Sequence, residues 1–269
     1  MAESKLTPRF TLNAQVEEIA SEQYRLTVPA GKADAYRLAQ LDDYSHLPRR
    51  KFPHHSLTLS LSARTSSDSI PGTWGFGLWN DPFGLSLGFG GRPWRFPALP
   101  NAVWFFGASE ENYLSFRNPR PSTTDGAMNA PSSAQRGFAN GFMAQTFRAP
   151  KFHPLLMLAG LALPFSRKMT RRLLSKVIAE DAVNLSKGDQ LVAPTDWHRY
   201  RLEWRERRVL FEVDDVTVFE SVVSPNHPLG LVIWIDNQYA AFTPEGKIEL
   251  GVLENPEPAW LEIKELQVG

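Results

Sequence analysis

Residues 196–221 read DWHRYRLEWRERRVLFEVDDVTVFES. Tyr200, Leu202 and Trp204 alternate with Arg199, Arg201 and Glu203. That period of two is the pattern of a half-buried antiparallel strand, one face dry and one wet. Arg205-Glu206-Arg207-Arg208 breaks the pattern, and Val209, Phe211 and Val213 restart it. Asp214-Asp215 supplies a second tight turn, and Val216 to Val222 returns as a third strand. Turns this closely spaced predict a three-stranded meander.

This stretch resembles the WH-x-Y-x-(I/L)-x-W … (I/V)-x-F-x-V-D-G meander of concanavalin A-like jelly rolls, and most of all the family 16 glycoside hydrolases, the laminarinase-like branch. The resemblance continues through PLGLVIWIDNQYAAF at 228–242, similar to a late core strand of that fold, and PAWLEIKELQV at 258–268, similar to its closing strand. It spans roughly residues 50–269. It implies an all-β jelly-roll sandwich in a single domain, 1–269, with residues 1–50 adding strands that complete it. In hydrolytic members of that family, E-x-D-x-x-E or E-x-D-x-E on a cleft strand places two carboxylates about 5 Å apart as nucleophile and acid/base. The strand that corresponds here is Asn101-Ala102-Val103-Trp104-Phe105-Phe106-Gly107, which has no acid. Glu110 and Glu111 are adjacent and would face opposite ways on a strand, and no E-x-D-x-E occurs elsewhere. The sequence therefore departs from the family where its hydrolytic chemistry resides.

Composition agrees with a large sandwich. The chain has 269 residues, 42% of them hydrophobic, enough for a sizeable core. Eight tryptophans and 17 phenylalanines favour strands and an aromatic-lined cavity. Lysine plus arginine and aspartate plus glutamate both number 29, so no bulk field attracts nucleic acid, and no nucleic-acid motif is present. The absence of cysteine excludes disulfides and thiolate metal sites. Met1 to Pro8 lacks the apolar core of a secretory signal, which leads to the expectation of a cytoplasmic protein. The histidines 46, 54, 55, 153, 198 and 227 show no H-x-x-x-H spacing, so neither a metal site nor a cofactor is expected. Calcium held by carboxylates and carbonyls, as many jelly rolls have, stays open.

Along the chain, Phe10, Leu12, Ala14 and Val16 alternate as one strand, and Tyr36, Leu38, Leu41 and Tyr44 supply apolar positions beyond it. Leu57, Leu59, Leu61 and Ala63 alternate with Ser56, Thr58, Ser60, Ser62 and Arg64 in the clearest amphipathic strand. His54 and His55, just before it, should point to opposite faces as neighbours on a strand do. In TWGFGLWND at 73–81, Trp74, Phe76, Leu78 and Asn80 share one face while Gly75, Gly77, Trp79 and Asp81 share the other. Glycine at alternate strand positions marks a close approach, either of a ligand or of bulky side chains from a neighbour. Residues 117–141 read as a long polar loop at the cleft mouth.

Residues 150–190 form the second departure from a plain sandwich. An apolar run, Pro154 to Phe165, is too short to span a bilayer, which takes about 20 residues. Ser166 can cap a helix in which Met169, Leu173, Val177 and Ile178 make a stripe, with Arg167, Lys168, Arg171, Arg172 and Lys176 outside it. A helical segment near 152–182 is expected, acting as a lid on the body, a peripheral membrane contact or a self-association surface.

The residues with most to offer a ligand are Trp74, Trp79, Asn80, Trp94, Trp104, Phe106, Trp234, Asn237, Gln238 and Tyr239, with Arg64 a further polar candidate. Such a lining suits an apolar or amphipathic small molecule better than a glycan, whose hydroxyls need many hydrogen-bond partners. Three readings follow. The first is a non-hydrolytic binding module. The second is an enzyme of the cyclase, isomerase or lyase type acting on a terpenoid- or polyketide-like substrate, with Asp81 or Asp236 as acid/base and tryptophans facing a developing cation. The third is the carbohydrate-binding or glycoside hydrolase-like protein that the resemblance implies. Asp236, Asn237, Gln238 and Tyr239 could equally form a turn capped by their own side chains.

Overall fold

The computed structural model describes residues 6–11, 13–82, 98–116, 140–150, 174–186, 191–243 and 248–269. With strands numbered in chain order, one seven-stranded sheet runs β1 (Thr7–Phe10), β4 (Leu38–Asp42), β13 (Gly230–Asp236), β6 (Thr73–Trp79), β7 (Ala102–Ala108), β8 (Gly141–Arg148) and β9 (Ala179–Asn184). The second seven-stranded sheet runs β12 (Val216–Ser221), β11 (Arg208–Val213), β10 (His198–Arg205), β5 (Leu57–Thr65), β16 (Ala259–Val268), β3 (Gln23–Val28) and β2 (Gln15–Ala20). A two-stranded sheet, β14 (Gln238–Phe242) with β15 (Ile248–Val252), stands apart. All these pairings are antiparallel, and the chain is an all-β jelly-roll sandwich.

The meander is β10–β11–β12. Trp204 pairs with Val209 and Tyr200 with Val213. Asp214 and Asp215 take φ of +50° and +63°, the left-handed pair a tight hairpin turn demands, which aspartate tolerates better than most residues. Tyr200, Leu202, Trp204, Phe211 and Val213 are buried against Trp74, Phe76, Leu78, Val103, Phe105 and Phe142 of the other sheet. Phe105 lies edge-on to Phe211 at 5.2 Å and to Tyr200 at 4.9 Å, so the meander's aromatic face interlocks with β7 across the sandwich.

Phe10 to Val16 is not one strand. Asn13 has φ +63°, and the chain turns there, so β1 joins the first sheet and β2 the second. The alternation of apolar residues persists through that turn and hides it. The outer face of the second sheet is polar and cross-braced. The buried carboxylate of Glu262 accepts from Arg25 Nε at 2.7 Å and Arg64 Nε at 2.8 Å. Arg64 also lies over Trp197, 4.8 Å from the ring centre. Arg64 therefore belongs to the outer face of the second sheet and takes no part in a site on the first.

The expected helical segment is shorter at its described end. Residues 174–177 are helical, but Ala179–Asn184 is strand β9, with Glu180, Ala182 and Asn184 buried at every second position. Periodicity of two wins over the helical stripe because β8 offers an open edge for pairing. Residues 151–173, which carry the apolar run and most of the basic residues, lie outside the described set, as does the loop at 117–139. Among the described residues no helix is long and apolar enough to cross a membrane.

Candidate functional site: an aromatic outer face

The first sheet has two apolar faces. One closes the sandwich; the other, turned away from the second sheet, carries Trp104, Phe106, Met143, Phe147, Val232 and Trp234. The strand register explains this second face. Gly75 pairs with Trp234 on one side and Phe106 on the other, and Gly77 pairs with Val232 and Trp104. A Cβ on Gly75 would sit 2.9 Å from the Trp234 ring, and one on Gly77 would sit 2.6 Å from Trp104 Cα. Gly75 thus makes room for the Trp234 ring, and Gly77 lets the backbone of β7 at Val103 and Trp104 come close.

Three tryptophans meet over this gap. Trp79 and Trp234 are parallel to within 2° at 6.2 Å between centroids. Trp104 lies 6.0 Å from Trp79 and 5.5 Å from Trp234. Phe106 stacks on Trp104 at 5.3 Å, and Phe147 meets it edge-on at 6.2 Å. Trp104 and Trp234 are 5% and 8% exposed, so the cluster packs as a second small core, and Trp79 is its half-open ring. Tyr44, Phe52, Leu99, Leu114 and Phe116 close in around it. At its margin, Ala149 and Ile178 continue into an open groove of about 580 Å³ that Arg148, Lys176 and Asn226 also line.

Polar chains leave the cluster in two directions. Trp104 Nε1 donates to Gln145 at 3.2 Å, and Gln145 Nε2 donates to Glu180 at 3.3 Å. Glu180 also accepts from the Phe116 amide at 2.7 Å. On the other side Trp234 Nε1 donates to Thr73 Oγ1 at 3.0 Å, which in turn donates to Asp236 Oδ1 at 2.8 Å. Tyr36 Oη donates to Asp236 Oδ2 at 3.1 Å. Burial pushes the Asp236 carboxyl up to about 6, against the opposing pull of the hydrogen bonds from Thr73, Gln238 and Tyr36. Burial and the Asp236 carboxylate raise the Tyr36 hydroxyl well above the ordinary tyrosine range.

Of the residues the sequence singled out, Trp79, Trp104, Phe106 and Trp234 come together. Trp74 does not, because alternation along β6 turns it inward, where it stacks on Phe142 at 4.9 Å in the core. Asn80 is a staple between chain segments, donating to Leu99 O at 2.9 Å and accepting from the Asn101 amide at 3.0 Å. Asn237 is fully buried and occupied with backbone, accepting from the Arg37 amide and donating to Ala35 O and Leu253 O. Gln238 and Tyr239 belong to β14, where Tyr239 covers Gly251. Trp94 lies outside the described residues. Asp81, at φ +48°, offers its backbone oxygen to Arg49 beyond the end of β6, whereas Asp236 pairs with Thr73 at the strand's start. The seven residues of β6 lie between these two levels, roughly 20 Å, so the two aspartates stand at opposite ends of the strand and cannot share one reacting centre.

Tyr36, Thr73, Gln145 and Glu180 were missed. Glu180 and Gln145 meet across 35 residues and carry no shared local pattern. Among the described residues no three carboxylate, imidazole or thiol groups converge as a metal cage.

No family model and no curated protein matches this chain. Among solved structures, the catalytic module of LamA from Zobellia galactanivorans is 14% identical over 93% of this chain and 78% of its own, with a TM-score of 0.46. A glycoside hydrolase family 16 endo-glucanase from Bacteroides ovatus is 10% identical over 100% of this chain and 96% of its own, also at 0.46. A functionally unknown protein from Saccharomyces cerevisiae is 8% identical over 99% of this chain and 96% of its own, at 0.40. At these TM-scores the likenesses carry no argument about fold or activity.

Proposed function

We propose that this protein is a non-hydrolytic concanavalin A-like sandwich that binds an apolar or amphipathic small molecule at the aromatic outer face of its first sheet. The observation that carries the reading is the face of β7 turned away from the second sheet. Its four positions there are Ala102, Trp104, Phe106 and Ala108, flanked by Gly75 and Gly77 on one side and Met143, Gln145 and Phe147 on the other. A strand built this way offers dispersion and ring contacts and no carboxylate for glycosidic chemistry. The groove at the margin suits the polar end of an amphiphile, with Arg148 and Lys176 beside the apolar Ala149 and Ile178. A hydrophobic pocket with few polar groups is the usual setting for such a ligand.

Asp236 favours a second reading, the cyclase, isomerase or lyase. A carboxyl held near 6 is close to working pH and can serve as acid or base, and it is linked through Thr73 to Trp234. Mass spectrometry of an organic extract of the protein purified from its native source tests the proposal. A bound isoprenoid, lipid or polyketide-like molecule is the expected result and supplies the substrate on which turnover is tried. A bound oligosaccharide would overturn the proposal and favour a carbohydrate-related role.

A further inference from the structure

A pair of histidines on the surface, far apart in sequence, is unexplained by the aromatic site. The backbones of His54 and Leu229 bond to each other, amide to carbonyl, at 3.1 and 2.9 Å. This bridge fixes two loops side by side, the one entering β5 of the second sheet and the one entering β13 of the first. His54 turns inward, with Nε2 2.6 Å from Asp43 Oδ2. His55 turns outward, as neighbours on extended chain do. Its Nδ1 lies 2.8 Å from Nδ1 of His227, the ring centroids are 4.5 Å apart, and both side chains are exposed.

We propose that His55 and His227 form a two-imidazole site for a divalent late transition metal, copper(II) or nickel(II) ahead of zinc(II). Two neutral imidazole nitrogens are good ligands for these ions, and here they already converge. With metal–nitrogen bonds of about 2.0–2.1 Å, nitrogens 2.8 Å apart subtend roughly 90° at the metal. That is the cis angle of tetragonal copper or nickel, narrower than the tetrahedral angle zinc prefers. In the metal-free pair one nitrogen donates its proton to the other. The metal takes the place of that proton: the imidazole that carried it at Nδ1 switches to its Nε2–H tautomer by exchange with solvent, and each neutral ring then gives its Nδ1 lone pair to the ion. Water fills the remaining positions, since no third imidazole, carboxylate or thiol joins the pair among the described residues. The ion would bridge a loop of each sheet and stabilise the sandwich by mass action.

Calorimetric titration of untagged protein with nickel(II) chloride at pH 7.5 tests this, together with electron paramagnetic resonance after addition of one equivalent of copper(II). The expected result is one nickel(II) per chain, weakened by roughly tenfold or more in His55→Ala and again in His227→Ala, with His46→Ala unchanged. The copper spectrum should show two equatorial nitrogens in the wild type and fewer in either variant. Nickel affinity and copper spectra unaltered by both substitutions would overturn the proposal, as would equal losses on replacing His46.

Discussion

Replacing Trp104 with alanine is expected to lower the stability of the folded protein by about 3–5 kcal/mol, read from the urea midpoint at constant slope. The indole is 5% exposed and touches Trp79, Phe106, Phe147 and Trp234. Its removal takes away those ring contacts, leaves a cavity between Gly77 and Gln145, and strips Gln145 of the donor to its Oε1. Cavity formation dominates, because neighbouring strands fix the surrounding backbone and the space cannot collapse. Trp104→Phe should recover part of the loss and keep the cost of the unpaired Gln145 oxygen, about 1–3 kcal/mol. A loss below about 1 kcal/mol for the alanine variant would mean that these aromatics are an open lining, contributing little to the fold.

The second large effect is a pH dependence that Asp236 imposes. Its carboxyl sits at about 6 in the folded chain, above the ordinary aspartate value of about 3.9 in the unfolded one. Between pH 4 and 6 the folded state therefore holds the extra proton, and stability must fall as pH rises through that window. A shift of about two units corresponds to roughly 2–3 kcal/mol, present below pH 4 and lost by pH 7. Asp236→Asn mimics the protonated carboxyl: its carbonyl oxygen can still accept from Thr73 and Gln238, and its amide can donate to Tyr36 Oη. Urea unfolding of both proteins at pH 4, 5, 6 and 7 isolates the group, since all other carboxylates are common to the pair. The variant should gain on the wild type by that amount as pH rises. A difference that stays constant across the window would contradict it.

Much of the architecture was readable from period-two alternation. Residues 198–221 place Tyr200, Leu202, Trp204, Phe211 and Val213 on the face they occupy, because a meander joins its strands by short turns and leaves the register no freedom. The same alternation in β6 separates Trp74 from Trp79, and the misplacement of Trp74 came from grouping tryptophans by type rather than by parity. Where the signal failed, the cause was non-local. The turn at Asn13 sits within an unbroken apolar alternation and depends on a single left-handed residue. Strand β9 looked like the end of a helix because a basic, leucine-rich stretch precedes it, and only the exposed edge of β8 makes it a strand. Glu180 meets Gln145, and His55 meets His227, through pairings between distant segments that no spacing rule encodes. Asn80 and Asn237 are polar residues at strand ends. In sequence these look alike whether they hold a ligand or hold the chain, and here both hold the chain.

The outer face of the first sheet as a surface for apolar molecules, and not for glycan hydrolysis, is tested most directly by tryptophan fluorescence. Protein is titrated side by side with sodium dodecanoate below its micelle concentration and with laminarihexaose, in the wild type and in Trp79→Ala. Trp79 is the half-exposed member of the triad, so its truncation should alter contact with a ligand while sparing the packed pair beneath. A saturable change with dodecanoate, lost or strongly weakened in Trp79→Ala, and none with laminarihexaose is the predicted outcome. Saturation by laminarihexaose alone, or release of reducing ends from laminarin, would contradict it.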